Sequence, residues 1–169
     1  MALRRAGKRQ KIDGHRAADP GAALSAATAL LRARDHAGSE LEGKLLERGF
    51  EPPAALAAVD ELRERGLLDD ARFAESFVRA RAGRGQGPVR IAQELRSRGI
   101  SPQQIEAALG TVPSWDALAQ GVRSRKFGGA PPDSVAEKGR QARFLQYRGF
   151  SSDHIGSALR GALDPDLAP

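Results

Sequence analysis

Apolar residues recur along most of this chain with the three-and-four spacing of amphipathic helices, and Gly and Pro interrupt the runs at regular intervals. Leu24, Ala27, Leu30 and Leu31 mark one face of a first helix, from about Ala22 to Arg34. Leu41 and Leu45, one turn apart, give the inward face of a second, from Ser39 to about Arg48, and Gly49 stands just past its end. Pro52 and Pro53 suit the first turn of a third helix, where a missing N–H is harmless. That helix runs to Arg65 with Leu56, Val59 and Leu62 inside, and Gly66 ends it.

The pattern then starts again. Asp69 or Asp70 caps a helix whose inward side carries Phe73, Phe77 and Ala80. Gly83-Arg84-Gly85-Gln86-Gly87-Pro88 is a linker, and Ile91 and Leu95 take the roles of Leu41 and Leu45. Ser101, Pro102 and Gln104 form the start of a boxed helix with Ile105 and Leu109 inside. After Thr111-Val112-Pro113, Ser114 caps a helix with Trp115, Leu118 and Val122. Gly128 to Pro132 breaks the chain, and Asp133 or Ser134 opens a helix to Tyr147 with Val135, Ala142 and Leu145 packed. Gly149 ends it, and Ser151 starts a last helix through Ile155 and Leu159.

Arg48-Gly49-Phe50, Arg98-Gly99-Ile100 and Arg148-Gly149-Phe150 fall at a fixed period, with Leu45, Leu95 and Leu145 in the same phase. Such a period predicts stacked helical repeats. The expected fold is all-α: three tandem three-helix repeats, nine helices in all, forming an elongated, curved body. The divisions are a basic disordered arm over residues 1–21, repeats over 22–66, 67–110 and 111–161, and a frayed tail over 162–169.

Composition agrees with helix: Ala is abundant and β-branched residues are sparse. The chain has no Cys, so thiolate chemistry and disulfides are excluded. No apolar run approaches the roughly 20 residues that span a bilayer, and no secretory leader is evident, so a cytoplasmic protein is expected. The net charge of +6 is uneven. Residues 1–20 carry six Lys and Arg against two Asp, whereas residues 21–68 carry six against eight acidic residues. A polyanion or an acidic partner is the natural counterpart of the basic remainder.

No catalytic constellation assembles. His15, His36 and His154 are scattered and read as solvent-facing, with no metal spacing. Asp69-Asp70 reads as a helix cap. The glycine-rich linker follows a helix and lacks the Gly-Lys-Ser/Thr ending of a P-loop, but its glycines are expected to leave backbone N–H groups free beside Arg84. The basic residues form sets. Arg72, Arg79, Arg81 and Arg84 surround the end of one helix and its linker, and Arg90, Arg96 and Arg98 lie on the next. Arg123, Arg125 and Lys126 end the first helix of the third repeat; Lys138, Arg140 and Arg143 lie on its central helix. Along one face they would form a groove for phosphates or acidic groups. The alternative is ordinary surface arginine, partly paired with Glu75, Glu94 or Glu137.

The run Gly66-Leu67-Leu68-Asp69-Asp70-Ala71-Arg72-Phe73-Ala74 resembles the bacterial RecX regulatory proteins, as do Gly87-Pro88 with Ile91 and Glu94-Leu95 and the three Arg-Gly repeats. Arg34-Asp35-His36, Glu40-Leu41, Trp115 and Arg125-Lys126-Phe127 extend the resemblance over about residues 24–160. Ala37 departs from the pattern where a Ser would box with Glu40, and Gln141 stands where Leu41 and Ile91 supply apolar residues. The resemblance implies a non-enzymatic regulator; apart from it, the sequence shows no obvious dimer helix and no cofactor motif, so a cytoplasmic monomer without a cofactor is expected. By the resemblance, the protein would bind the RecA recombinase and the RecA–single-stranded DNA filament, suppressing strand exchange, ATP hydrolysis and coprotease activity. The thirteen basic residues named above, read from the charge pattern, are the expected partner or DNA-binding surface, with direct DNA contact possible. The competing expectation is a general basic nucleic-acid-binding helical module without a dedicated protein partner.

Overall fold

The computed structural model describes residues 13–160, and all regular structure among them is helical. The order is α1 (Gly14–Ala17), α2 (Pro20–Ala33), α3 (Gly38–Glu47), α4 (Pro52–Glu64), α5 (Asp70–Gly83), α6 (Pro88–Arg96), α7 (Pro102–Leu109), α8 (Trp115–Phe127), α9 (Val135–Arg148) and α10 (Ser152–Arg160). The basic positions Arg4, Arg5, Lys8, Arg9 and Lys11, and the tail over 162–169, lie outside the described residues. Residues 13–20, expected within a disordered arm, instead hold α1 and the start of α2. Asp19-Pro20 is a cap followed by an N1 proline: the Asp19 carboxylate accepts from Gly21 N–H at 2.9 Å. Glu51 N–H ties the segment down by donating to the Ala17 carbonyl at 2.8 Å.

The chain divides into two compact units, one ending at Phe73 and the other beginning at Ala74. In the first, α2 packs against α4 through small residues. Ala23 and Ala27 share one buried cluster with Ala54, Ala55, Ala58, Val59, Leu62, Leu41 and Leu45. Alanines permit close helix approach, and Leu24, Leu30 and Leu31 cover the margin, only partly buried. Leu56, expected inside, is 48% exposed because Ala55, Val59 and Leu62 already fill the inward face.

Helix α3 begins without a local cap, as Ala37 dictates. Its first N–H is nevertheless satisfied: Gly38 N donates to Asp70 Oδ1 at 2.7 Å, while Asp70 Oδ2 pairs with Arg63 Nη2 at 3.2 Å. The two adjacent carboxylates therefore cap different helices. Asp69 Oδ1 accepts from Arg72 N–H at 2.9 Å at the start of α5, and Asp70 serves α3.

In the second unit α8 and α9 pack with α10 around Ala119, Val122, Leu145, Phe150 and Ala158, and α6 packs on α7. The buried stripe of α5 is Ala74, Val78 and Ala82, one or two positions along from the expected Phe73, Phe77 and Ala80. Both Phe side chains are half-buried, and Phe77 lies under the guanidinium groups of Arg81 and Arg98, each 4.8 Å from its centroid. Ala108 rather than Leu109 completes the inward face of α7. Val135, expected to pack, is 90% exposed in the first turn of α9.

The repeat is visible in backbone detail. Phe50, Ile100 and Phe150 donate to the carbonyls of Leu45, Leu95 and Leu145 at 3.1–3.2 Å. Gly49, Gly99 and Gly149 donate to Leu46, Arg96 and Gln146 at 2.9 Å. These are the paired bonds that close a helix through a left-handed residue, and the three glycines have φ of +96°, +72° and +91°. All three leucines are fully buried.

Candidate functional site

The Arg-Gly sequences place the end of α9 against the start of α6. Gly87 N–H donates to the Arg148 carbonyl at 2.9 Å and Val89 N–H to the Gly149 carbonyl at 3.0 Å. The free N–H groups that open one helix thus meet the free carbonyls that close another. The contact leaves no room for side chains: a Cβ on Gly87 would sit 2.4 Å from the Gly149 carbonyl and from Phe150 N.

Beside this junction lies a cleft of about 270 Å³ whose rim carries Arg84, Arg125, Lys126 and Arg148. Val122 and Phe144 supply its apolar wall, and no acidic residue lines it. Arg148 is the most fixed of the four. Its Nη1 donates to the Arg84 carbonyl at 3.2 Å, and its guanidinium lies 5.2 Å from the Phe144 centroid. Phe144 is in turn set edge-on to Phe127 at 5.3 Å. Arg125 Nε donates to the Gly121 carbonyl at 3.3 Å, leaving its terminal nitrogens outward. None of the four makes an ion pair among the described residues. The linker backbone is no phosphate cradle, in keeping with the plain helix–helix linker read from its sequence. The N–H groups of Arg84 and Gln86 donate to Arg81, that of Gly85 to Ala82 and that of Gly87 to Arg148.

The other predicted positions separate into paired, exposed and buried. Arg81 and Arg90 converge on Glu94 at 2.8 and 3.2 Å, and Arg98 donates to the Glu94 carbonyl at 2.7 Å. Arg140 holds Glu137 at 2.9 Å and lies over Phe127. This bond, with one from Gln141, keeps the Glu137 carboxyl below its ordinary range. Arg72, Arg79, Arg96, Lys138 and Arg143 are exposed.

Arg123 is a correction. It is 1% exposed and belongs to the core of the third repeat, not to a surface. Its Nη1 donates to Ala130 O at 3.1 Å and Gln141 Oε1 at 3.0 Å, and its Nη2 to Gly129 O at 3.1 Å. Gln141 passes the interaction on to Glu137 at 2.9 Å. The polar residue at an otherwise apolar phase is thus matched by a buried guanidinium that also ties down the glycine-rich break. A buried charge demands such partners. Arg148 was missed in the opposite sense: its Arg-Gly sequence read as repeat punctuation, although the basic charge was there to be counted.

His36 also departs from expectation. It is 3% exposed, with Nδ1 3.3 Å from Glu40 Oε1. Burial, reinforced by the Arg34 charge, lowers its pKa below 6.5 despite the Glu40 carboxylate. Burial raises the Glu40 pKa, but the bonds and charge of Arg34 outweigh it and the net shift is downward. His154 is half-buried, its Nδ1 2.8 Å from Ser151 Oγ at the head of α10.

Tandem three-helix units define a helical-repeat protein with a cation-lined cleft and, among the described residues, no cluster of metal-binding side chains. No described helix is long and apolar enough to cross a membrane. Residues 69–109 match the family model for the second three-helix domain of RecX, and residues 116–159 match that for the third. Regulatory protein RecX of Halorhodospira halophila is 47% identical over 146 residues, covering 86% of this chain and 91% of that protein. The Pseudomonas fluorescens relative of the same name is 45% identical over 133 residues, covering 78% and 86%. The crystal structure of RecX from Lactobacillus salivarius shares the fold at a TM-score of 0.74 and 23% identity, covering 85% of this chain and 96% of that one. A second crystal structure, of regulatory protein RecX, has a TM-score of 0.69 at 26% identity, covering 81% and 70%. The chain belongs to the RecX family, which consists of non-enzymatic regulatory proteins.

Proposed function

We propose that this protein binds the RecA recombinase, chiefly as its filament on single-stranded DNA, and lowers strand exchange, ATP hydrolysis and coprotease activity. The observation that carries the reading is the 47% identity with a regulatory RecX across 86% of the chain. It acts in the cytoplasm as a monomer. Its three repeats, assigned to residues 22–66, 67–110 and 111–161, present repeated surfaces to a repeating filament, so weak contacts sum through avidity. The exposed Arg72, Arg79, Arg84, Arg96, Arg125, Lys126, Lys138 and Arg143 carry the interaction. Arg81, Arg90, Arg98 and Arg140 contribute less, because Glu94 and Glu137 already engage them.

The test is RecA ATP hydrolysis on single-stranded DNA with this protein added well below the recombinase concentration. Loss of hydrolysis at that ratio is expected, and unchanged hydrolysis would refute the reading. The basic cleft favours a second reading, a nucleic-acid-binding module that acts by coating DNA. In that case inhibition would begin only when the protein covers the strand.

A further inference from the structure

A second cleft of the same unit, about 530 Å³, lies between the end of α5 and the turn that leads into α8. Ala82, Val112, Pro113, Ala117 and Leu118 give it apolar walls, and no acidic residue lines it. The turn is held in place: Trp115 Nε1 donates to the Leu109 carbonyl at 3.3 Å, and the Thr111 hydroxyl to the Ala108 carbonyl at 2.7 Å. One charge stands on the border. Arg79 is exposed and makes no ion pair among the described residues. At Gly83 this cleft joins the basic one, so its apolar surface adjoins the cations Arg84, Arg125, Lys126 and Arg148.

The apolar walls call for a hydrocarbon side chain, whose burial releases water. The cations beside them, with no carboxylate among the lining residues of either cleft, call for negative charge close to that side chain. A sugar–phosphate strand supplies the charge but nothing to fill the groove, because bases stack on aromatic faces and none lines it. A fatty acid supplies the hydrocarbon but only one charge. An extended peptide in which leucine-like side chains alternate with Asp or Glu supplies both along its length.

We propose that the two adjoining clefts dock an acidic peptide segment of a partner protein, with an apolar side chain in the groove of Val112, Ala117 and Leu118 and carboxylates on Arg79 and the cationic rim. The proposal rests on the reading above in taking the partner to be a protein, and it gives that partner a chemistry.

The experiment is fluorescence anisotropy with the full chain and a labelled peptide of alternating leucine and aspartate, without recombinase. Matched peptides carry serine for each leucine or asparagine for each aspartate. Burying one leucine is worth about tenfold or more in affinity, so the serine peptide should bind at least about tenfold more weakly. The asparagine peptide should lose a comparable amount. Ala117→Asp puts a carboxylate on the apolar wall, in a first helical turn that favours acid, and should weaken binding about tenfold. Arg79→Ala should weaken it about threefold, and Arg65→Ala, an equal loss of charge in the first unit, should leave it unchanged. Circular dichroism checks that the variants stay folded. Equal affinity for the leucine and serine peptides, or parental binding by Ala117→Asp, would overturn the proposal. Oligothymidylate displacing the peptide as well as unlabelled peptide does, at matched charge, would replace it with a plain polyanion surface. Tighter binding by a chain ending at Arg160 would assign the groove instead to the protein's own Leu163-Asp164-Pro165-Asp166-Leu167. Recombinase hydrolysis, measured separately, reports the regulatory reading, so either can fail alone.

Discussion

Replacing Gly87 by Ala adds one methyl group where two backbones touch. The φ of Gly87 is −86°, so alanine tolerates the conformation and the whole effect is steric. The new Cβ would lie 2.4 Å from Gly149 C, Gly149 O and Phe150 N, about 1 Å inside ordinary contact, and backbone cannot rotate away as a side-chain tip can. Relief requires the start of α6 and the end of α9 to separate. That weakens Gly87 N–H to Arg148 O and Val89 N–H to Gly149 O, now 2.9 and 3.0 Å. Two hydrogen bonds at about 1 kcal/mol each, with overpacking strain of about 1–3 kcal/mol, give a loss of about 3–5 kcal/mol. This is a large part of a typical domain stability of about 5–15 kcal/mol. Urea unfolding should show a lowered midpoint, and amide exchange at positions 87 and 89 should accelerate. Gly121→Ala is the matched control, because a Cβ there meets nothing within 4 Å, and it should stabilise α8 by about 0.5–1 kcal/mol. A Gly87→Ala variant within about 0.5 kcal/mol of the parent, its two amides still protected, would refute the argument.

Asp70→Ala removes the cap of α3 and one of the two carboxylate partners of Arg63; unfolding should show about 1–2 kcal/mol lost, and Asp70→Asn, which keeps an acceptor for Gly38 N–H, should lose less. Arg123→Met leaves Gln141 Oε1 and the Gly129 and Ala130 carbonyls without their donor, at about 3–5 kcal/mol. Arg123→Met with Gln141→Leu should recover much of this, and neither change should alter oligonucleotide affinity while the protein remains folded. Stability should also depend on pH through His36. Its folded pKa is lowered, so the unfolded chain binds the extra proton first: the contribution is complete above about pH 6.5 and declines as pH falls below it. Thermal melts of His36→Gln should lack that decline and retain the lower one from Glu40 and Glu137, whose depressed pKa values give stability that is present above 4.5 and lost as pH falls through the folded values.

Helix ends were the most legible feature of the chain, because caps are local chemistry. The Ser101–Gln104 box forms with both of its bonds, and Ser114 and Ser134 cap α8 and α9 through the third residue of each. What periodicity could not choose was the inward face where small and large residues compete. On α5, Ala74, Val78 and Ala82 win because close packing favours small side chains, leaving the two phenylalanines as platforms for arginines. Pairing over long sequence distances was also hidden: nothing near Gly38 indicates that Asp70 caps it. Three of the four cleft cations were named from sequence, but their separation from the paired set depended on which carboxylates folding brings close. Gln141 did give notice of Arg123, since a polar group at a core position requires a partner, yet sequence alone did not show which residue answered it.

The meeting of α9 with α6 has an evolutionary corollary. Alignment at this joint is specified by peptide groups, which every amino acid carries, and by two glycines that keep side chains out. Exposed side chains around it can therefore be exchanged without remaking these bonds. The joint works as a fixed mount for whatever surface surrounds it, so long as no side chain is added at Gly87 or Gly149.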